Sequence, residues 1–492
     1  MRQSLRPDYE IVILGSGIGG LGMAMQLRRS GISSFLILEK ASDLGGTWRD
    51  NIYPGCGCDV PSHLYSFSFA LHREWSRMYP RQPEILEYLH RCANKYDLRS
   101  NIRFNSTVTE TAYDESTHSW RIDTEDGFQI SARFLVFAIG GLNRPRYPQI
   151  RGLDRFQGKI FHTARWEAGF DPMGKRIAIV GTGSSAVQVL PEIAPAASRV
   201  YLYQRSAPWI LPRDDRQFRL FEKVLLKFLP GAARLFRYFI YWKSELFWRA
   251  FAKPHLMQKF QKFAQASLER EVTSVKRRIA LTPDYKLGCK RIVVSDNFLQ
   301  AMNRENIEIV TNEIVELTEN AIVDGGGERR EVDAIILGTG FRASDVPYPL
   351  RILGNKGVDL NETWKNGLHA YLGMTVSGYP NLFLLGGPNS GLGHNSAVFM
   401  LEAQMGFIVR SMRFMRDKGF SSMQVRESVE TAFNDKLQLK MKDTVWESGC
   451  RNWYQDVRGR NIAMWPGYSF VYWARIRKLS NADFEFTKGG AG

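Results

Sequence analysis

Two glycine-rich turns carry the first legible chemistry. Gly15-Ser16-Gly17-Ile18-Gly19-Gly20 follows an apolar run ending at Leu14, and Gly181-Thr182-Gly183-Ser184-Ser185-Ala186 follows a second run ending at Val180. A turn of this spacing between a strand and a helix brings the backbone close to a pyrophosphate. The first glycine permits the tight turn, the second the close approach, and the third the packing of helix on sheet. Unpaired N–H groups and the positive dipole end at the helix start then face the anion. Some twenty residues later the two turns differ. Glu39 stands where a carboxylate accepts hydrogen bonds from ribose hydroxyls, whereas the second unit reads Gln204-Arg205-Ser206 with no acid. An arginine there suits a 2′-phosphate that a carboxylate would repel. The first turn is therefore expected to hold FAD and the second NADPH. The plainer alternatives are a fortuitous glycine turn and an arginine solvated at a strand end.

The surrounding pattern supplies the elements these turns need. Glu10–Leu14, a helical stretch through Arg29 capped near Gly31, and Phe35–Leu38 make the first strand–turn–helix–strand unit. Arg176–Val180, a helix and Val200–Tyr203 repeat it. Phe134–Gly140 and Asp333–Phe341 each read as a strand running into a glycine turn, as expected where a chain crosses between domains. Strand pattern resumes at Ile307–Val310, and the part containing Gly386–Ser390 is expected to return to the FAD domain. The implied class is α/β, a two-dinucleotide-binding-domain flavoprotein with two Rossmann-like domains and a helical insertion. Residues 1–145 and 343–492 are read as FAD-binding, 146–212 and 285–342 as NADPH-binding, and 213–284 as the insertion.

Composition bounds the alternatives. The 492 residues are 44% hydrophobic and 24% charged, which excludes a disordered or fibrous chain. Lys plus Arg number 66 against 50 Asp plus Glu, and between Arg213 and Arg291 there are 19 basic and 7 acidic residues. That stretch is also aromatic, with Phe236, Tyr238, Phe239, Tyr241, Trp242, Phe247 and Trp248. Two readings fit residues 218–251: an insertion packed over the NADPH domain with its basic face solvated, or a weak peripheral contact with a membrane surface. No nucleic-acid module accompanies the charge, so nucleic acid is not expected as a partner. The five cysteines, Cys56, Cys58, Cys92, Cys289 and Cys450, form no secreted disulfide framework, and no ligand cluster suggests a metal. Met1–Asp8 is short and polar, and no run of 18 apolar residues occurs, so a cytoplasmic protein is expected.

Further residues carry a family resemblance. Gly45-Gly46-Thr47-Trp48 through Tyr53-Pro54-Gly55 to Asp59 resembles the long fingerprint of type I Baeyer–Villiger monooxygenases. Phe156-x-Gly158-x-x-x-His162-x-x-x-Trp166 resembles their second fingerprint, just before the second glycine turn. The resemblance continues through Gln204–Ser206, Lys290-Arg291, Gly387–Ser390 and the Trp446–Pro466 stretch, with one departure, Glu167 for the usual Pro or Asp. It implies that NADPH reduces FAD, that O2 adds to give a flavin C4a peroxide, and that this attacks a ketone to yield an ester or lactone. Arg291 matches the catalytic arginine, Asp59 the acid that holds it, and Lys290 a phosphate partner shared with Arg205. Such an arginine would stabilise the anionic peroxide and the oxyanion that follows. The cofactor-binding candidates are Gly15, Ser16, Gly17, Gly20, Glu39, Lys40, Gly46, Thr47, Trp48, Asp59, Tyr65 and Val108 for FAD. For NADPH they are Gly181, Thr182, Gly183, Ser184, Ser185, Ala186, Arg205, Ser206, Lys290 and Arg291. His162 is read as a linker residue and not a proton carrier.

Two other activities compete. A flavin oxygenase of sulfides or amines, or an uncoupled NADPH oxidase, would share both nucleotide units; Trp166 and Arg291 favour the ketone enzyme. A flavoprotein disulfide reductase rests only on Cys56-x-Cys58, whose spacing is not the usual Cys-x-x-Cys. The sequence specifies neither which ketone nor an oligomeric state.

Overall fold

The protein was analysed as a computed structural model that describes residues 6–343 and 348–488; part of the polar start lies outside them. The first apolar run forms the strand Tyr9–Leu14, whose last four residues are buried. It lies inside a mixed eight-stranded sheet. Phe35–Leu38 runs parallel on one side with Ile11 opposite Phe35, and Gln129–Phe137 on the other with Ile11 opposite Phe134. Burial on both faces explains why Ile11–Leu14, Phe35–Leu38 and Phe134–Phe137 read as unbroken apolar runs, while Gln129–Arg133 alternates. Val108–Asp114 and Ser119–Thr124 extend the sheet as antiparallel neighbours. Leu382–Leu384, from the C-terminal part, pairs with Gln129–Phe137.

A second sheet is wholly parallel. Its order is Ile307–Val310, Arg199–Tyr203, Arg176–Val180, Ala334–Leu337, Lys159–His162. Asp333, expected to begin a strand, stays just outside it. Its carboxylate accepts the Arg176 backbone N–H at 2.7 Å and the Arg176 guanidinium at 2.8 Å, while its own N–H donates to Arg176 O at 2.8 Å. The two glycine-ended strands pass between the sheets side by side: Pro145 lies opposite Phe341, Arg146 N–H donates to Gly340 O, and Arg342 N–H donates to Arg144 O.

Four helices, Leu220–Phe228, Ala232–Ala252, Pro254–Glu271 and Val275–Leu281, occupy the basic stretch. The long helix Ala397–Lys418 packs on Ile18–Arg29 so tightly that a Cβ at Gly22 would meet Met405 Cε at 2.5 Å. A disulfide joins Cys289 to Cys450 across 161 residues of sequence, while Cys56, Cys58 and Cys92 are free and buried. No helix among the described residues is long and apolar enough to cross a membrane.

Candidate active site

The first glycine turn opens on a cavity of about 500 Å³. Gly15 has φ +98°, and a Cβ at Gly20 would sit 1.9 Å from Gly15 O, so the turn and the first helical turn touch backbone to backbone. Of the FAD candidates, Gly15, Gly17, Glu39, Lys40, Gly46, Thr47, Trp48, Tyr65 and Val108 line the cavity, joined by Gly386–Pro388 and by Trp453, Ala463 and Met464 from the C-terminal part. Ser16 and Gly20 lie behind the wall, and Asp59 does not line the cavity. Ser16 donates from its N–H and from Oγ to Glu39 Oε2, both at 2.8 Å. Ala41 N–H and Arg49 donate to Glu39 Oε1 at 3.0 Å. All four acceptor directions of Glu39 are thus in use, and a ribose hydroxyl would take the place of one of these donors. The glycine-walled cavity, with the Glu39 carboxylate in its lining, fits the chemistry of a dinucleotide.

Asp59 and Arg291, 232 residues apart, form a direct ion pair. Burial pushes the Asp59 carboxyl up, but the Arg291 charge and hydrogen bond bring it below the usual carboxylate range. The Asp59 charge in turn holds Arg291 above its ordinary value. The Arg291 side chain remains 45% exposed, so one face of a permanently charged guanidinium is open to a reactant. Tyr65 joins this pair to the cavity. Its hydroxyl accepts from Trp48 Nε1 at 3.1 Å, and burial, with the nearby Asp59 charge, raises it well above the usual phenol value.

The second glycine turn repeats the geometry with one exchange. Gly181 has φ +105°, and Ala186 replaces the third glycine. Room for its methyl comes from Gly338 on the neighbouring strand, where a Cβ would meet Ala186 Cβ at 3.0 Å. Thr182 Oγ1 donates to Ser206 O at 3.0 Å, and Thr163 Oγ1 donates to Ser185 Oγ at 3.1 Å. Gly183 caps the helix that Ser184 begins. Lys290 Nζ donates to Ser206 Oγ at 2.9 Å. Burial first, and repulsion from Arg205 besides, push Lys290 below its ordinary value, with Asp284 opposing. Two cations thus converge at the end of the strand Arg199–Tyr203, an arrangement that favours an anion between them.

His162 is fully buried with both ring nitrogens engaged. Nδ1 accepts from Ala164 N–H and Nε2 donates to Gly340 O, each at 3.0 Å, on the tautomer those partners require. Burial lowers it to about 4, so it stays neutral and ties the crossing strands. Glu167, the departure from the fingerprint, forms an ion pair with Lys159.

Other contributors left no sequence signal. Gln188, on the helix of the second unit, accepts from Tyr53 OH at 3.0 Å and donates to Gly57 O at 3.1 Å, docking the first fingerprint on the second nucleotide unit. Asn452 Nδ2 donates to Cys289 O at 2.9 Å and the disulfide adds a covalent link, so the stretch carrying Tyr454 is anchored one residue before Lys290. Cys56 and Cys58 do not line the cavity. Burial raises Cys56 to about 11 and Cys58 further, which removes the thiolate a disulfide exchange needs.

Residues 12–225 match the family model described as pyridine nucleotide-disulphide oxidoreductase. A Baeyer-Villiger monooxygenase of Pseudomonas aeruginosa is 42% identical over 97% of this chain and 91% of its own. Among solved structures, an oxidized steroid monooxygenase bound to NADP is 30% identical with a TM-score of 0.88, covering 98% of this chain and 100% of that one. OTEMO in complex with FAD and NADP is 25% identical with a TM-score of 0.89, over 98% and 100%. With its nucleotide turns, its Asp59–Arg291 pair and this likeness along nearly its whole length, the chain belongs to the Baeyer–Villiger monooxygenases.

Proposed function

We propose that the protein uses NADPH and O2 to insert one oxygen atom beside the carbonyl of a small-molecule ketone, giving an ester or lactone. FAD, reduced by NADPH, supplies the activated oxygen when bound. Residues 1–145 and 343–492 would hold FAD along the cavity. Residues 146–212 and 285–342 would hold NADPH, with Arg205 and Lys290 on the 2′-phosphate, and 213–284 form the helical insertion. The observation that carries the reading is the Asp59–Arg291 pair. A ketone carbonyl attacked by an oxygen nucleophile gathers negative charge on its oxygen, and a charge fixed in place stabilises that anion without reorganisation. Asp59 keeps the guanidinium oriented, and the open face of Arg291 meets the developing anion. Trp48 and Tyr65 shape the cavity wall and exclude water. A need for NADPH agrees with a cytoplasmic setting.

The test is oxygen uptake, NADPH consumption and product mass measured together over a panel of ketones. Ketone-dependent turnover with ester equal to NADPH consumed is expected. Ketone-independent NADPH loss matched by hydrogen peroxide, or oxidation confined to sulfides, would replace this reading with the oxidase or heteroatom enzyme.

A further inference from the structure

The helices over residues 220–263 have an outer face that no described residue covers. In Leu220–Phe228 only Leu226 is buried, while Leu220, Phe221, Val224, Leu225 and Phe228 are exposed. Ala232–Ala252 has two apolar faces. One packs inward through Ile240, Tyr241, Trp248 and Phe251. The other is a stripe at helical spacing, Leu235, Tyr238, Phe239, Trp242 and Leu246, each 53–70% exposed. The patch continues past Trp242, whose ring lies 5.7 Å from Phe470, to exposed Val471 and Trp473. Half of the exposed large apolar side chains among the described residues fall in this stretch. Concentration of that kind marks an interaction face, since single scattered apolar residues need no explanation.

Charge selects the occupant. Residues 220–263 hold nine basic residues and two acids. Glu222 is tied to Arg216, and Glu245 is buried against Asn395 and Ser469. Lys223, Arg234, Lys243, Arg249 and Lys253 are exposed. A second copy docked on this face about a two-fold axis would set one basic patch against the other. An anionic bilayer surface accepts both features: basic side chains meet headgroups, while Trp, Tyr, Phe and Leu enter the headgroup–acyl boundary. We propose that residues 220–252 dock the protein on an anionic lipid surface, with the helix Ala232–Ala252 lying in the interface plane. The proposal is independent of the catalytic reading.

The test uses the FAD-loaded protein and sedimentation with phosphatidylglycerol/phosphatidylcholine vesicles or phosphatidylcholine alone, at low and high salt. Binding to the anionic vesicles is expected, at least about tenfold weaker on phosphatidylcholine or in high salt. The triple variant Leu235→Gln, Phe239→Gln, Trp242→Gln is expected to lose binding about tenfold or more. It should keep its FAD content and its NADPH turnover with a water-soluble ketone. Failure of the native protein to sediment at low salt overturns the proposal, as does a correctly folded triple variant that binds like the native protein. A concentration-dependent dimer in light scattering, lost in the triple variant, would overturn it in favour of a second copy.

Discussion

Arg291 is the residue on which the proposed chemistry turns. In the proposed reaction its charge would be needed once oxygen has been activated, whereas the residues proposed to hold FAD line the cavity, which Arg291 does not. Arg291→Ala is therefore expected to fold, bind FAD and accept hydride from NADPH, though more slowly. Ester formation falls by about two to three orders of magnitude, as when one oxyanion donor is removed. Reducing equivalents appear as hydrogen peroxide, and Arg291→Lys restores only part of the rate because it keeps the charge but loses the fork that Asp59 orients. Stopped-flow reduction beside ester yield separates the steps; near-normal ester production by the alanine variant would end the assignment. The same scale decides nucleotide choice. Each charge-assisted contact contributes about 1.5–3 kcal/mol. The Arg205→Ala, Lys290→Ala double variant is expected to lose several tens-fold or more of its preference for NADPH over NADH, chiefly through a higher KM for NADPH. Equal preference before and after the change would show that the 2′-phosphate lies elsewhere. Arg205 could be read from its strand end, but Asp59, Lys290 and Arg291 stood out only through a family resemblance, because nothing local distinguishes them from a turn acid and a solvated basic pair.

At the scale of elements, the central strands were legible because both their faces are buried and their apolar runs are continuous, as in Phe35–Leu38, whereas the edge strand Ile307–Val310 was legible from its β-branched residues despite Glu308. Ile307–Val310 and Phe35–Leu38 fall where the pattern places them. Contacts between elements were not legible, since they join residues with no shared local pattern. The Gln188 docking of the first fingerprint and the Cys289–Cys450 bond are of this kind. Gly55 shows how such a contact constrains a residue. It sits at φ +81°, and a Cβ there would lie 2.5 Å from Gln188 O, a backbone atom of the second nucleotide unit. Gly55→Ala meets both a disfavoured conformation and a collision, together costing about 1–3 kcal/mol. The expected signature is a lower unfolding midpoint and weaker NADPH binding with FAD content intact. If NADPH affinity is unchanged, the contact serves stability alone.

For the whole molecule, location of charge says more than its total, since the excess of basic residues gathers on one helical insertion. Beneath that insertion lies one of the two buried histidines through which acid is expected to act. His63 is fully buried, with its ring 5.4 Å from Phe218 and 5.2 Å from Phe236 at the base of the helices. Burial above all, with His72 and Arg237 nearby, lowers it to about 4. His162, between the sheets, is lowered to a similar value by burial. A histidine held neutral in the fold takes up its proton in the unfolded chain first. Its stabilising contribution is therefore complete above about pH 6.5 and is lost as pH falls from there towards 4. Each removes about 1.4 kcal/mol per pH unit inside that window. Urea midpoints measured from neutral pH down to about pH 5 are expected to fall steadily. His63→Gln cannot be charged in that range, so its slope should be shallower by one histidine's share while that of His162 persists. An unaltered slope in His63→Gln would mean that the insertion does not rest on a neutral imidazole, and that acid enters the molecule elsewhere.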